Sequence, residues 1–140
     1  MKKLSFIFLL AAVATIFAGR ASAQVIVIAN PSVKATDITK SELKDVFTGA
    51  ATNLKDGSQV TPILLKDGPV HEVFLGTYIG KGDVVFRGSW RNLVFSGQVI
   101  MPKSVESDDD MVQYIAHHPG TIGYINKSTS HDGVKVLNVK

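Results

Sequence analysis

Apolar positions along this chain fall into continuous runs and helically spaced sets, divided by turn residues. Val25-Ile26-Val27-Ile28-Ala29 is continuous, mostly β-branched and closed by Asn30-Pro31. That predicts a strand buried on both faces, as in an α/β sheet. Thr39 and Glu42 have capping-box spacing, Leu43, Val46 and Phe47 follow at helical intervals, and Gly49 closes the helix. Asn53 to Gln59, with Asp56-Gly57, is turn chemistry. Val60 to Leu65 reads as a second strand, which Pro62 places near a sheet edge.

Asp67-Gly68-Pro69 opens the next helix, with Val70, Val73, Phe74 and Tyr78 on one face and Gly80 or Gly82 at its end. Asp83 is placed to cap a further helix that carries Phe86, Trp90, Leu93 and Val94 and closes near Gly97. The spacing makes Trp90 a core residue. Ser107 caps another helix, with Asp108, Asp109 and Asp110 in its first turn and Val112, Ile115 and Ala116 facing inward. Pro119-Gly120 stops it, and Ile122 to Ile125 and Val134 to Val139 are the closing strands. The predicted order is βαβαααββ.

Residues 1–23 have the pattern of a cleavable leader. Lys2 and Lys3 precede the apolar run Leu4 to Ala18, and Ala21-Ser22-Ala23 is a small-residue cleavage site. The run is too short for a comfortable membrane span of about 20 residues. Cleavage would leave residues 24–140 as one domain beginning at Gln24, outside the cytoplasm in a periplasmic or secreted location. Lys2, Lys3 and Arg20 account for the whole formal surplus of +3, so residues 24–140 are neutral. Neutrality removes the basic surplus that nucleic acid or an anionic membrane would require. No cysteine is present. Disulfides, zinc–thiolate sites and a lipidated cysteine anchor are therefore excluded.

Three segments carry a resemblance. They run from Ile38 to Gly49 (ITKSELKDVFTG), from Val60 to Gly68 and on to Phe74, and from His118 to Ile125 (HPGTIGYI). In this order the chain resembles one lobe of the periplasmic phosphate-binding proteins that feed ABC transporters. The resemblance implies a single periplasmic-binding-protein-like α/β lobe, a mixed sheet flanked by helices. It also implies a substrate-binding-like role toward phosphate or a similar oxyanion, with an ABC permease, a partner lobe or a second copy as protein partner. In that family the second segment reads Arg-x-Asp-x-Ser-Gly-Thr. Here Leu65 stands at the arginine, Asp67 is kept, and Pro69-Val70-His71 replaces Ser-Gly-Thr.

The loop from Lys66 to His71 is the candidate oxyanion site, through Lys66, Asp67, Gly68, Val70 and His71. It lies where a strand's carboxyl end meets a helix start, whose free N–H groups and dipole attract anions. A bound anion would also favour the protonated imidazole of His71. The other reading is that Asp67 caps its own helix and already occupies the anion position. A helix terminus contributes about 0.3–2 kcal/mol, whereas micromolar binding needs about 8 kcal/mol. A monomer should therefore bind phosphate weakly or not at all. A ligand-free interaction module is the alternative function.

The remaining motifs point to no cofactor, metal or catalysis. His117 and His118 are adjacent, so on a helix they diverge by about 100°, and cations at a helix C-terminus complement its dipole. The three aspartates suit a first helical turn. No Gly-x-Ser-x-Gly elbow occurs, and an enzyme is not expected.

Overall fold

The computed structural model describes residues 24–140; the leader reading falls on residues 1–23, outside them. Strand β1 (Val25–Ala29) sits third in a five-stranded mixed sheet of order β2-β7-β1-β6-β3. β6 (Thr121–Asn126) and β7 (Lys135–Val139) flank it, both antiparallel. The short strands β2 (Asp37–Ile38) and β3 (Thr61–Pro62) close the edges, each parallel to its neighbour. Val27, Ile28 and Ala29 are buried, as a central strand's continuous apolar run requires.

Helix α1 (Lys40–Phe47) begins at the expected capping box: Thr39 Oγ1 accepts the Glu42 N–H at 3.1 Å, and Glu42 Oε1 accepts the Thr39 N–H at 3.2 Å. Helix α4 (Asp108–His117) begins at Ser107, whose hydroxyl accepts the Asp110 N–H at 3.1 Å. The first turn of α4 is also tied to the sheet. Asp108 Oδ2 accepts from the Asn126 N–H at 2.8 Å and the Thr129 hydroxyl at 2.9 Å. At the other end of α4, buried Asn30 donates to the Ile115 carbonyl at 2.7 Å.

The predicted strand Val60 to Leu65 is two strands on two sheets. β3 pairs with β6, while β4 (Leu64–Leu65) pairs in parallel with β5 (Ser104–Val105) in a separate two-stranded sheet. Pro62 has no N–H for a further ladder bond. After the Ile63 N–H reaches the Ile122 carbonyl, the Leu64 N–H turns to the Lys103 carbonyl instead. β2 and β5, two residues each, carry no period for sequence to reveal.

Two helix starts differ from expectation. Gly68, with φ 98°, is the N-cap of α2 (Pro69–Phe74) and gives it no side-chain cap. Asp67 therefore does not cap this helix. Gly82, not Asp83, is the N-cap of α3 (Asp83–Phe95), and the Asp83 carboxylate turns to other partners. From α2 the chain runs on through a π-helical turn, Leu75–Ile79, which Gly80 ends in the left-handed region. Val94 lies at the surface rather than inward.

One core joins both sheets and the helices. Phe74 stacks on Tyr124 at 3.8 Å between ring centroids, and Phe47 meets both rings edge-on. Gly123 lets α4 approach β6: a Cβ there would lie 2.6 Å from Met111 Sδ and Ile115 Cδ1. Trp90 is 3% exposed, and its indole N–H donates to the Phe47 carbonyl at 2.9 Å. Replacing it removes a large ring and leaves that carbonyl unpaired. Trp90→Ala is expected to cost about 3–5 kcal/mol, as for other large core aromatics. Chemical denaturation of the variant measures this, and a loss below about 1 kcal/mol would contradict the core assignment.

Candidate functional site

β4 and β5 are parallel, so their carboxyl ends lie side by side and lead into the starts of α2 and α4. Such an edge is where open α/β sheets gather ligands. Lys66 and Glu106 follow the two strands and pair across this edge at 3.3 Å, both largely exposed. An exposed pair of this kind contributes little stability, yet it draws the Lys66 ammonium toward a carboxylate.

The loop from Lys66 to His71 has a free outer backbone. Among the described residues, no acceptor takes the N–H of Asp67, Gly68, Val70 or His71; the first α2 donor to be used is Glu72, to the Gly68 carbonyl at 3.0 Å. Pro69 has no N–H. The positive φ of Gly68 turns the chain into the helix here, a conformation that side chains with a Cβ rarely adopt.

Beneath the loop, five residues form a closed ring of hydrogen bonds. The Leu65 N–H donates to Tyr124 Oη at 3.0 Å. The Tyr124 hydroxyl, which accepts there, has its own proton to give to His71 Nδ1, while Nε2 faces the Asp83 carboxylate and carries a proton. That Nε2–H donates to Asp83 Oδ1 at 2.7 Å. Arg87 Nε–H reaches the same oxygen at 2.9 Å, and its Nη2 returns to the Leu65 and Lys66 carbonyls at 3.1 and 2.8 Å. The ring starts and ends on the Leu65 peptide.

Both groups with shifted titration in this ring show what burial and partners do. Burial pushes the Tyr124 phenol up, so it stays a neutral donor. Burial would raise Asp83 as well, but the hydrogen bond from His71 and the charge of Arg87 outweigh it and hold the carboxyl below its ordinary value.

The candidate side chains divide at this point. Gly68 and Val70 present free backbone N–H groups, and Lys66 and Asp67 are exposed on the rim. His71 is 1% exposed, and both its ring nitrogens are used inside the ring, so only its backbone N–H faces the loop. A direct side-chain contact from His71 to an anion is not what this geometry offers. Sequence reading missed Tyr124, Asp83 and Arg87 as partners of the loop. The i,i+4 pair Asp83 and Arg87 was visible in the sequence; the Tyr124 contact, from a strand far along the chain, was not.

Elsewhere, His117 and His118 each donate Nδ1–H to the carbonyl four residues back, at 2.7 Å. Among the described residues, no three His, Asp or Glu side chains gather to hold a metal, and no helix is long and apolar enough to cross a membrane.

No protein-family model and no curated protein matches the sequence. Solved structures do match. A protein from Clostridium perfringens, described as a phosphate ABC transporter substrate-binding protein and holding phosphate, superposes with TM-score 0.63 at 18% identity, over 82% of this chain and 44% of its own. PstS from Borrelia burgdorferi gives TM-score 0.59 at 22% identity, over 83% of this chain and 47% of its own. An ABC-type phosphate transport receptor from Vibrio cholerae gives 0.54 at 15%, over 82% and 45%. This chain has the fold of one periplasmic-binding-protein lobe. The lobe spans less than half the length of each of these neighbours.

The ring of this lobe should show itself in acid. A carboxyl held below its ordinary value of 3.8 stabilises the fold above that pH, and the contribution is lost as pH falls through the lower folded value. Asp83→Asn should therefore melt below wild type at pH 7, with the gap narrowing by pH 3. Thermal unfolding at both pH values measures it; a gap equal at the two would contradict the role given to the Asp83 charge.

Proposed function

We propose that this lobe acts outside the cytoplasm as a substrate-binding-like protein for phosphate or a similar small oxyanion in connection with ABC transport, with the loop from Lys66 to His71 as one wall of the site. The observation that carries the reading is the set of unused N–H groups on Asp67, Gly68, Val70 and His71, held in place from below by the Leu65–Tyr124–His71–Asp83–Arg87 ring. Backbone donors at a helix start suit an anion, and a preorganised loop lowers the ordering cost of binding. That the neighbours are described as phosphate-binding and phosphate-transport proteins supports the choice of ligand. The reading is of a binding protein rather than an enzyme, exported after loss of residues 1–23 and folded as one domain over residues 24–140.

One wall is not a clamp. Asp67 is exposed and Gly68 and Val70 are only half-buried, so the loop does not enclose an anion, and affinity for the isolated lobe should be millimolar or weaker, about 4 kcal/mol. A partner lobe, a second copy or an ABC permease would supply the enclosure. Lys66 adds a charge that Glu106 partly neutralises, and Asp67 opposes a fully ionised anion while accepting from a protonated one.

A second reading rests on the same edge. Asp67, Glu106, Asp109 and Asp110 are exposed there, and Leu65 occupies the position that carries arginine in the phosphate-binding motif. Those features fit a lobe that has kept its scaffold as an interaction or adaptor module and lost its ligand.

An amide-resolved NMR titration with phosphate, and with sulfate in parallel, separates the two. Oxyanion binding predicts shifts concentrated at Asp67, Gly68, Val70 and His71, weakened by added salt, and reduced in Gly68→Ala, where the positive φ is disfavoured. No shift at those amides up to tens of millimolar, roughly ten times the expected dissociation constant, would leave the interaction module as the function.

A further inference from the structure

A second concavity lies away from the loop, between the end of α1, the edge strand β3, helix α3 and the segment at residues 97–103. Its volume is about 630 Å³, within the range of about 300–1,000 Å³ that holds small ligands. Val46, Val60, Pro62, Trp90, Val99 and Met101 make its walls chiefly apolar. Ile100, also on its lining, is 88% exposed, an apolar side chain at the rim with nothing packed on it.

The charge on this lining is of one sign. Lys103 is its sole charged residue, and no carboxylate lines it. The Lys103 ammonium lies 5.2 Å from the ring centroid of Tyr114, another lining residue, and makes no ion pair among the described residues. Its backbone is fixed, because the Lys103 carbonyl accepts the Leu64 N–H at 2.9 Å. An apolar chamber with one unpaired cation on it matches an amphipathic molecule whose single negative charge sits at one end. The sheet edge beside it cannot recruit another strand readily, since Pro62 of β3 has no N–H to offer.

We propose that this cleft binds a small amphipathic monoanion, a carboxylate with a hydrocarbon tail, tail against the half-buried Pro62 and Val99 above Trp90 and carboxylate on Lys103. The site is separate from the oxyanion loop and does not depend on its function. The tail removes the exposed apolar rim from water, and Ile100 and Met101 close over it.

Trp90 is the one tryptophan of the chain and lines the cleft, so its fluorescence is the readout for occupancy. The test titrates the purified protein with decanoate below its micelle concentration, with uncharged decanol and with inorganic phosphate. Decanoate should give a saturable change and phosphate none. Lys103→Met should weaken decanoate by about five- to tenfold, the size of one charge-assisted contact at a part-open site, and leave decanol unchanged. Ala51→Phe, which fills the cleft from its wall, should abolish both responses. If that variant misfolds by its melting profile, Lys103→Met, at an exposed position, still decides the matter. No saturable change, equal binding of decanoate by wild type and Lys103→Met, or a phosphate response matching that of decanoate would overturn the proposal. So would a fluorescence change that follows protein concentration without ligand, which would make this face an interface between copies.

Discussion

The hydrogen-bond ring that begins and ends at the Leu65 peptide is the constraint on which the loop depends. It joins β4 of the small sheet, β6 of the large sheet, and helices α2 and α3. The links through the Leu65 N–H, the Tyr124 hydroxyl and His71 Nδ1 satisfy polar groups that would otherwise be stranded in the core, where an unpaired donor or acceptor costs about 1–3 kcal/mol. Tyr124 makes the ring possible. Its hydroxyl accepts from Leu65 and donates to His71, while its ring stacks on Phe74 in the centre of the core. Polar specificity and apolar packing thus meet in one side chain.

This arrangement changes what His71 does. At a helix start next to a candidate anion loop, it has the address of a ligand-binding side chain. In the folded chain it is a buried strut between Tyr124 and Asp83, and the loop that it supports offers backbone donors instead. Rigid donors without enclosure give selectivity for anions but little affinity. The cleft at Trp90 is the complementary case, with apolar area but a single charge.

Much of the fold was legible in the sequence because its signals are local. The capping box at Thr39 and Glu42, the Ser107 cap, the apolar run of β1 and the Pro119-Gly120 stop are each decided within a few residues, and all appear where the pattern puts them. What stayed hidden is non-local. The break between β3 and β4 depends on which partner strands stand on either side of Ile63. The roles of Asp83 and Tyr124 depend on contacts with His71 that span 12 and 53 residues. A carboxylate beside a helix start reads as a cap until its partner in another helix is known. The loop's position between strand and helix makes it a candidate in the sequence, but which of its groups are left without partners is a property of the ring beneath it.

The central claim is that Tyr124 holds the loop in place through this ring, and its most direct test is backbone dynamics in Tyr124→Phe. The substitution keeps the stacked aromatic and removes only the hydroxyl that links Leu65 to His71. NMR order parameters for Asp67 and Gly68 should fall toward flexible values, below about 0.6, and amide exchange at Leu65 should accelerate, while Val27 and Ile28 in β1 stay as protected as in wild type after correction for global stability. Unchanged order at Asp67 and Gly68, with Leu65 still protected, would contradict it.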